Sequence, residues 1–204
     1  MTRRDNRIDS VLILGLLLSL ILTPLMQFGT QCRQLENEVL RLHILANSDS
    51  TEDQRVKLAV RDAVLAGTGE LFSATQTLNE AEQQAAENLV LIEELARKEL
   101  VRQGYPPEVK AELTNMYFNT RYYNNATMPA GRYDALRLTI GAGAGKNWWC
   151  VVFPPICVEA AAKEKTPLTE KLENLDKRPD YKLAFASVEL VEGICEKLRS
   201  TEKE

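Results

Sequence analysis

Residues Ser10 to Cys32 carry no charged side chain, and 13 of the 18 positions from Val11 to Phe28 (VLILGLLLSLILTPLMQF) are apolar. A run of this length just spans a bilayer core of about 30 Å at 1.5 Å per residue. Its place at the amino terminus, behind Arg3, Arg4 and Arg7 and ahead of only Arg33 and Arg41, predicts that the first residues stay in the cytoplasm and the rest crosses. The segment from Gln27 to Gln31 offers no small residues in an A-x-A-like cleavage pattern, which favours an uncleaved anchor over a removed signal peptide. Gly29, Thr30 and Gln31 make a poor lipobox for Cys32, so that cysteine is expected to stand unmodified just past the membrane. The division expected is therefore residues 1–32 as signal peptide or anchor and 33–204 as one extracytoplasmic domain.

Past residue 28 the remaining 176 residues carry 22 basic and 27 acidic side chains, which is the balance of an ordinary soluble domain. A net charge of −4 over the whole chain, with no basic stripe interleaved with aromatics, argues against nucleic-acid binding.

Leu40, Leu42 and Ile44 alternate with Arg41 and His43, the pattern of a half-buried first strand with a polar face. Asn47 to Ser50 end it. Thr51 and Gln54 are placed as a capping box for a helix over about 51–65 that stops at Gly67 and Gly69. A second box, Thr77 with Glu80, opens the longest helix, expected to run to Gln103. Val109 to Leu113 and Leu136 to Ile140 alternate as strands, and Trp148 to Phe153 reads as a further strand joined to the preceding one by Gly141–Asn147 in a hairpin. The segment after Pro155 is charged and polar, and Ala184, Val188, Val191, Cys195 and Leu198 form a final helical stripe. This order predicts an α+β domain, a mostly antiparallel sheet of about four strands with helices packed on it.

The glycine loop GAGAGKN invites comparison with a phosphate loop. It is one residue short, Asn147 stands where the Mg²⁺-binding hydroxyl belongs, and a strand rather than a helix follows, so nucleotide is not expected. One histidine and four scattered cysteines contain no C-x-x-C or H-x-x-x-H pair, and no metal or other cofactor is expected. Cys150, Cys157 and Cys195 allow three single disulfides beyond the membrane. A Cys150–Cys157 bond requires Pro154 and Pro155 to fold back a segment that would span about 23 Å if extended. Burial of both as reduced thiols is the competing reading. Trp148 and Trp149 must point to opposite faces of their strand, and only one enters a single-sided core.

The segments RLHILANSDSTEDQRVKLAVRDAVL (Arg41–Leu65) and MPAGRYDALRLTIGAGAGKNWWCVVFPPIC (Met128–Cys157), in that order, resemble the stage II sporulation protein R family of endospore-forming bacteria. The resemblance implies a non-enzymatic intercellular signal. Such a protein is made in the forespore, exported into the intermembrane space, and activates a membrane-embedded aspartic peptidase that matures the sigma E precursor. The expected partner is thus that peptidase, with the membrane held through the N-terminal segment. Residues proposed to contact it are Arg41, His43, Asn47, Asp49, Arg132, Lys146 and Trp148, with helix capping and a solvated strand face as the competing explanation for the first four. The alternative function is a secreted hydrolase pairing Cys150 or Ser48 with His43.

Overall fold

The computed structural model describes residues 3–123, 126–154, 167–176 and 181–201. Cys157, and with it any pairing it makes, lies outside them. Helix α1 runs from Arg3 to Glu36, and its portion Ser10–Glu36 is long and apolar enough to cross a membrane, with a mean hydropathy of 2.3 over its most apolar 18 residues. Val11 to Leu20 are exposed, whereas Phe28 and Cys32 are fully buried and Leu35 nearly so. The helix is therefore two things in sequence: an unpacked apolar rod, then three turns belonging to the domain core. The expected boundary between residues 32 and 33 falls inside it.

After α1 come β1 (Leu40–Leu45), α2 (Thr51–Ser73), α3 (Leu78–Glu87) and α4 (Leu89–Arg102), then β2 (Val109–Phe118), a small hairpin of β3 (Arg121–Tyr123) and β4 (Ala126–Met128), and β5 (Gly131–Ile140). β6 (Asn147–Phe153), α5 (Pro167–Asp176) and α6 (Tyr181–Thr201) complete the described order. The main sheet has four strands in the order β2-β5-β1-β6. The β2–β5 and β1–β6 ladders are antiparallel and β1–β5 is parallel, so the α+β expectation holds with a mixed sheet.

Several local expectations change for identifiable reasons. The N-cap of α2 is Ser50, whose hydroxyl accepts the Asp53 N–H at 3.0 Å, one residue ahead of the predicted Thr51. Gly67 and Gly69 do not end that helix. At Gly67 a side chain would meet Leu95 of α4 at 2.5 Å, so the glycine permits close helix approach rather than a stop. The Thr77–Glu80 capping box forms as expected, but the helix it opens is broken at Asn88 into α3 and α4. Gly141–Asn147 is not a hairpin: β1 lies between β5 and β6, and the loop passes over its end. The polar segment after Pro155 contains α5, which buries Leu172 and Leu175.

Two apolar clusters cover the two faces of the sheet. One gathers Leu42, Ile44, Leu136, Leu138 and Cys150 against Val60 of α2, Ala85 of α3 and Ile92 of α4. The other sets Tyr133, Ala135 and Val151 against the end of α1, Phe118, α5 and α6. β1 is thus central and doubly covered, and all six of its residues are buried.

Candidate functional site

The polar face predicted for β1 is buried instead. Arg41 is 0% exposed and His43 3%. Register places His43 between Arg137 of β5 and Trp149 of β6, on the sheet face opposite Cys150. Its ring stacks on Trp149, centroids 4.1 Å apart and planes within 2°. Its Nε2 donates to Asn147 Oδ1 at 2.8 Å, which leaves Nδ1 buried and unpartnered.

Arg41 lies 4.1 Å from the Phe118 ring centroid and 5.0 Å from that of Tyr133, close enough for cation–π attraction to both. Its Nη2 donates to the Tyr123 hydroxyl at 2.9 Å, while Nε and Nη1 are buried with no hydrogen-bond partner. Desolvation lowers its pKa, opposed by Tyr123 and Tyr133 and reinforced by Arg121. The group nevertheless remains a cation, because guanidinium does not deprotonate in proteins. Arg121 stands over Trp149 at 5.3 Å, and its Nε is likewise buried and unpartnered. Among the described residues Arg41 and Arg121 form no ion pair, and Arg137 reaches only Glu112, at 3.8 Å.

The other predicted contact residues are placed elsewhere. Asn47, Asp49 and Lys146 belong to a knot where the glycine loop crosses the end of β1. Asn47 Oδ1 accepts the Ala142 N–H at 3.0 Å, and its amide donates to Asp53 at 3.1 Å. Asp49 accepts the Lys146 N–H at 2.6 Å, and Lys57 of α2 donates to the Lys146 carbonyl at 2.9 Å. Ser48 donates to Asp53. Trp148 faces α2 beneath Arg61, at 5.0 Å, and Arg132 is held by Glu196 at 2.7 Å and by Asn115. Both tryptophans are half-buried, one on each face.

Of the predicted set, Arg41 and His43 meet in this buried site, Asn47, Asp49 and Lys146 meet in the knot, and Arg132 and Trp148 stand apart. Sequence reasoning missed the other members of the buried site, Phe118, Arg121, Tyr123, Tyr133, Arg137 and Trp149. The one sequence signal was the aromatic and basic density of Tyr117–Tyr123, which the periodicity of the strands does not register. For the hydrolase alternative, the imidazole and the Cys150 sulfur lie on opposite sheet faces and the Ser48 hydroxyl is bonded to Asp53, so no nucleophile–base pair is assembled from them. Cys150 is disulfide-bonded, and Cys32 and Cys195 are not in disulfides.

A family model described as Stage II sporulation protein R matches residues 36–163. The chain belongs to the stage II sporulation protein R family. It is 36% identical over 123 residues to Stage II sporulation protein R of Bacillus subtilis (strain 168), an alignment covering 60% of this chain and 55% of that one. The chain thus spans about half the length of the curated relative it matches. No solved structure matches. The family match begins at the last residue of α1 and takes in the buried β1, the knot and β6, so every member of the Arg41 site lies within the part shared with the stage II sporulation protein R family.

The buried histidine gives this family member a definite pH response. Burial lowers its pKa below the ordinary histidine value, and neighbouring Arg137 and Arg41 act in the same direction while the bond to Asn147 opposes them. The unfolded chain therefore takes up this proton at a higher pH than the folded one, and the contribution of His43 to stability falls as the pH drops below about 6.5. Between pH 7.5 and 5 the Tm of the parent should fall relative to that of His43→Gln. A constant difference in Tm between the two proteins across that range would mean that His43 does not titrate differently on folding.

Proposed function

We propose that this sporulation protein is an exported, membrane-tethered signal that activates a membrane-embedded aspartic peptidase, which then matures the sigma E precursor. The observation that carries the reading is family membership across residues 36–163. An apolar N-terminal helix continuous with the folded domain and the separation of His43 from Cys150 and Ser48 are consistent with a protein that acts by binding. The mechanism is differential affinity: the domain binds the active arrangement of the peptidase more tightly than the resting one, each tenfold preference contributing about 1.4 kcal/mol to the shift.

Coexpression of the full chain with the peptidase and the sigma E precursor, in a cell that makes none of the three, tests this directly. Precursor cleavage should require all three proteins, and its absence would refute activation. In the same assay Asp49→Ala should lower the melting temperature before it lowers processing, because its carboxylate is engaged by the Lys146 N–H.

A further inference from the structure

We propose that the sheet face around Arg41, His43, Arg121 and Arg137 is a receiving site for a carboxylate, contributed by an acidic side chain of a partner protein. Four basic side chains converge there, and the described structure supplies one distant carboxylate, Glu112 at 3.8 Å from Arg137. Tyr123 uses one donor of the Arg41 guanidinium, leaving Nε–H and the Nη1 group unpartnered, as is Arg121 Nε. Two ring contacts attract the cation but accept none of these in-plane N–H groups. A buried charge in this condition is costly, and an apolar residue of similar volume would be the more stable choice if folding were its only role. A carboxylate is the ligand that satisfies several guanidinium N–H groups together and neutralises the charge.

The rim of the site meets solvent. Arg121, Arg137 and Trp149 are half-exposed and Asn147 is exposed, whereas Arg41 is fully buried, so a ligand reaches its guanidinium once the rim residues at the His43–Asn147 end part. Tyr123, half-exposed, lies beside them with its hydroxyl on Arg41. An outer ring of Arg, Trp and Tyr around a desolvated charge is the composition of a protein-binding hot spot, which favours a protein carboxylate over a free metabolite. The proposal rests on the reading that this chain acts by binding a protein, but not on which protein that is.

The full chain in detergent should be melted with N-acetylglutamate α-amide, with the neutral N-acetylglutamine α-amide, and with chloride at matched ionic strength. Only the carboxylate should raise Tm, in proportion to the logarithm of its concentration above Kd and by about 5 °C at roughly a hundred times Kd. Arg41→Met should abolish that response while melting no lower than the unliganded parent. Arg121→Gln and Arg137→Gln, which alter half-exposed positions and keep the fold whatever Met does at 41, should each weaken the response about tenfold. Equal effects of chloride and carboxylate, or parental responses in all three variants, would mean that water satisfies these cations and would overturn the proposal. Free glutamate matching the capped amide in affinity would overturn the protein origin of the ligand. Carboxylate binding without precursor cleavage in the coexpression assay supports the site and counts against the peptidase alone.

Discussion

Deleting residues 1–36 should leave a chain that does not fold cooperatively, whereas deleting residues 1–26 should leave one that does. The first deletion removes Phe28, Cys32 and Leu35, each 2% exposed or less, from the cluster that packs α6 onto the sheet. Phe28 meets Phe185 edge to face with ring centroids 5.0 Å apart. Losing a buried Phe costs about 3–5 kcal/mol and a buried Leu about 2–5 kcal/mol, which together approach the whole stability of a typical domain. The second deletion removes none of these three side chains, takes away the exposed apolar stretch and should improve solubility. Phe28→Ala in the full chain should lower Tm by about 6–20 °C. Circular dichroism and denaturant titration of the two truncations decide the matter. A cooperative, parent-like transition in the chain lacking residues 1–36 would show that the last turns of α1 are a passive stalk. Proteolytic release of the domain is compatible with its fold only at a cut ahead of Phe28.

This result bears on what the sequence disclosed. The apolar stretch announced a membrane segment, but charge and hydropathy do not tell where such a helix leaves the lipid and enters a core, since both surroundings select the same residues. β1 shows the same ambiguity from the other side. Its alternation of Leu40, Leu42 and Ile44 with Arg41 and His43 is legible as a strand, and the pattern predicts one solvent face because charged residues rarely lie buried. Periodicity reports which residues share a face, not how many layers cover it. The second layer comes from α1, α5, α6 and the β3–β4 hairpin, of which α5 lies in a segment that reads as charged and polar. The strands themselves were legible, whereas their order was not. Neighbours in sequence usually pair in space, so the glycine loop predicts a hairpin. The insertion of β1 between β5 and β6 depends on contacts between segments about a hundred residues apart.

Gly145→Ala should be strongly destabilising for a reason that only this strand order supplies. Because the loop crosses the end of β1, a Cβ at residue 145 would stand 2.2 Å from the Ser48 carbonyl oxygen and 2.5 Å from its carbon. Both are backbone atoms held by their surroundings: Gln54 of α2 donates to that carbonyl at 2.8 Å, and the Gly145 N–H donates to Ala46 O at 2.9 Å. Relief requires the loop to lift, which breaks the Gly145 bond, the Ala144 bond to Asn47 O at 3.1 Å and the Lys146 bond to Asp49. Three lost hydrogen bonds cost about 1 kcal/mol each, and overpacking that the lift leaves unrelieved adds up to about 3 kcal/mol, so a loss of about 3–6 kcal/mol is expected, a fall in Tm of roughly 6–24 °C. Gly69→Ala is the matched control. That glycine lies inside α2 with nothing within 4 Å of the added atom, and alanine there should stabilise by about 0.5–1 kcal/mol through helix propensity. If the two variants unfold at the same denaturant concentration, the loop is not seated on β1. If Gly145→Ala alone falls, the lift also carries Asn147 away from His43, and its Tm should lose part of the parent's dependence on pH.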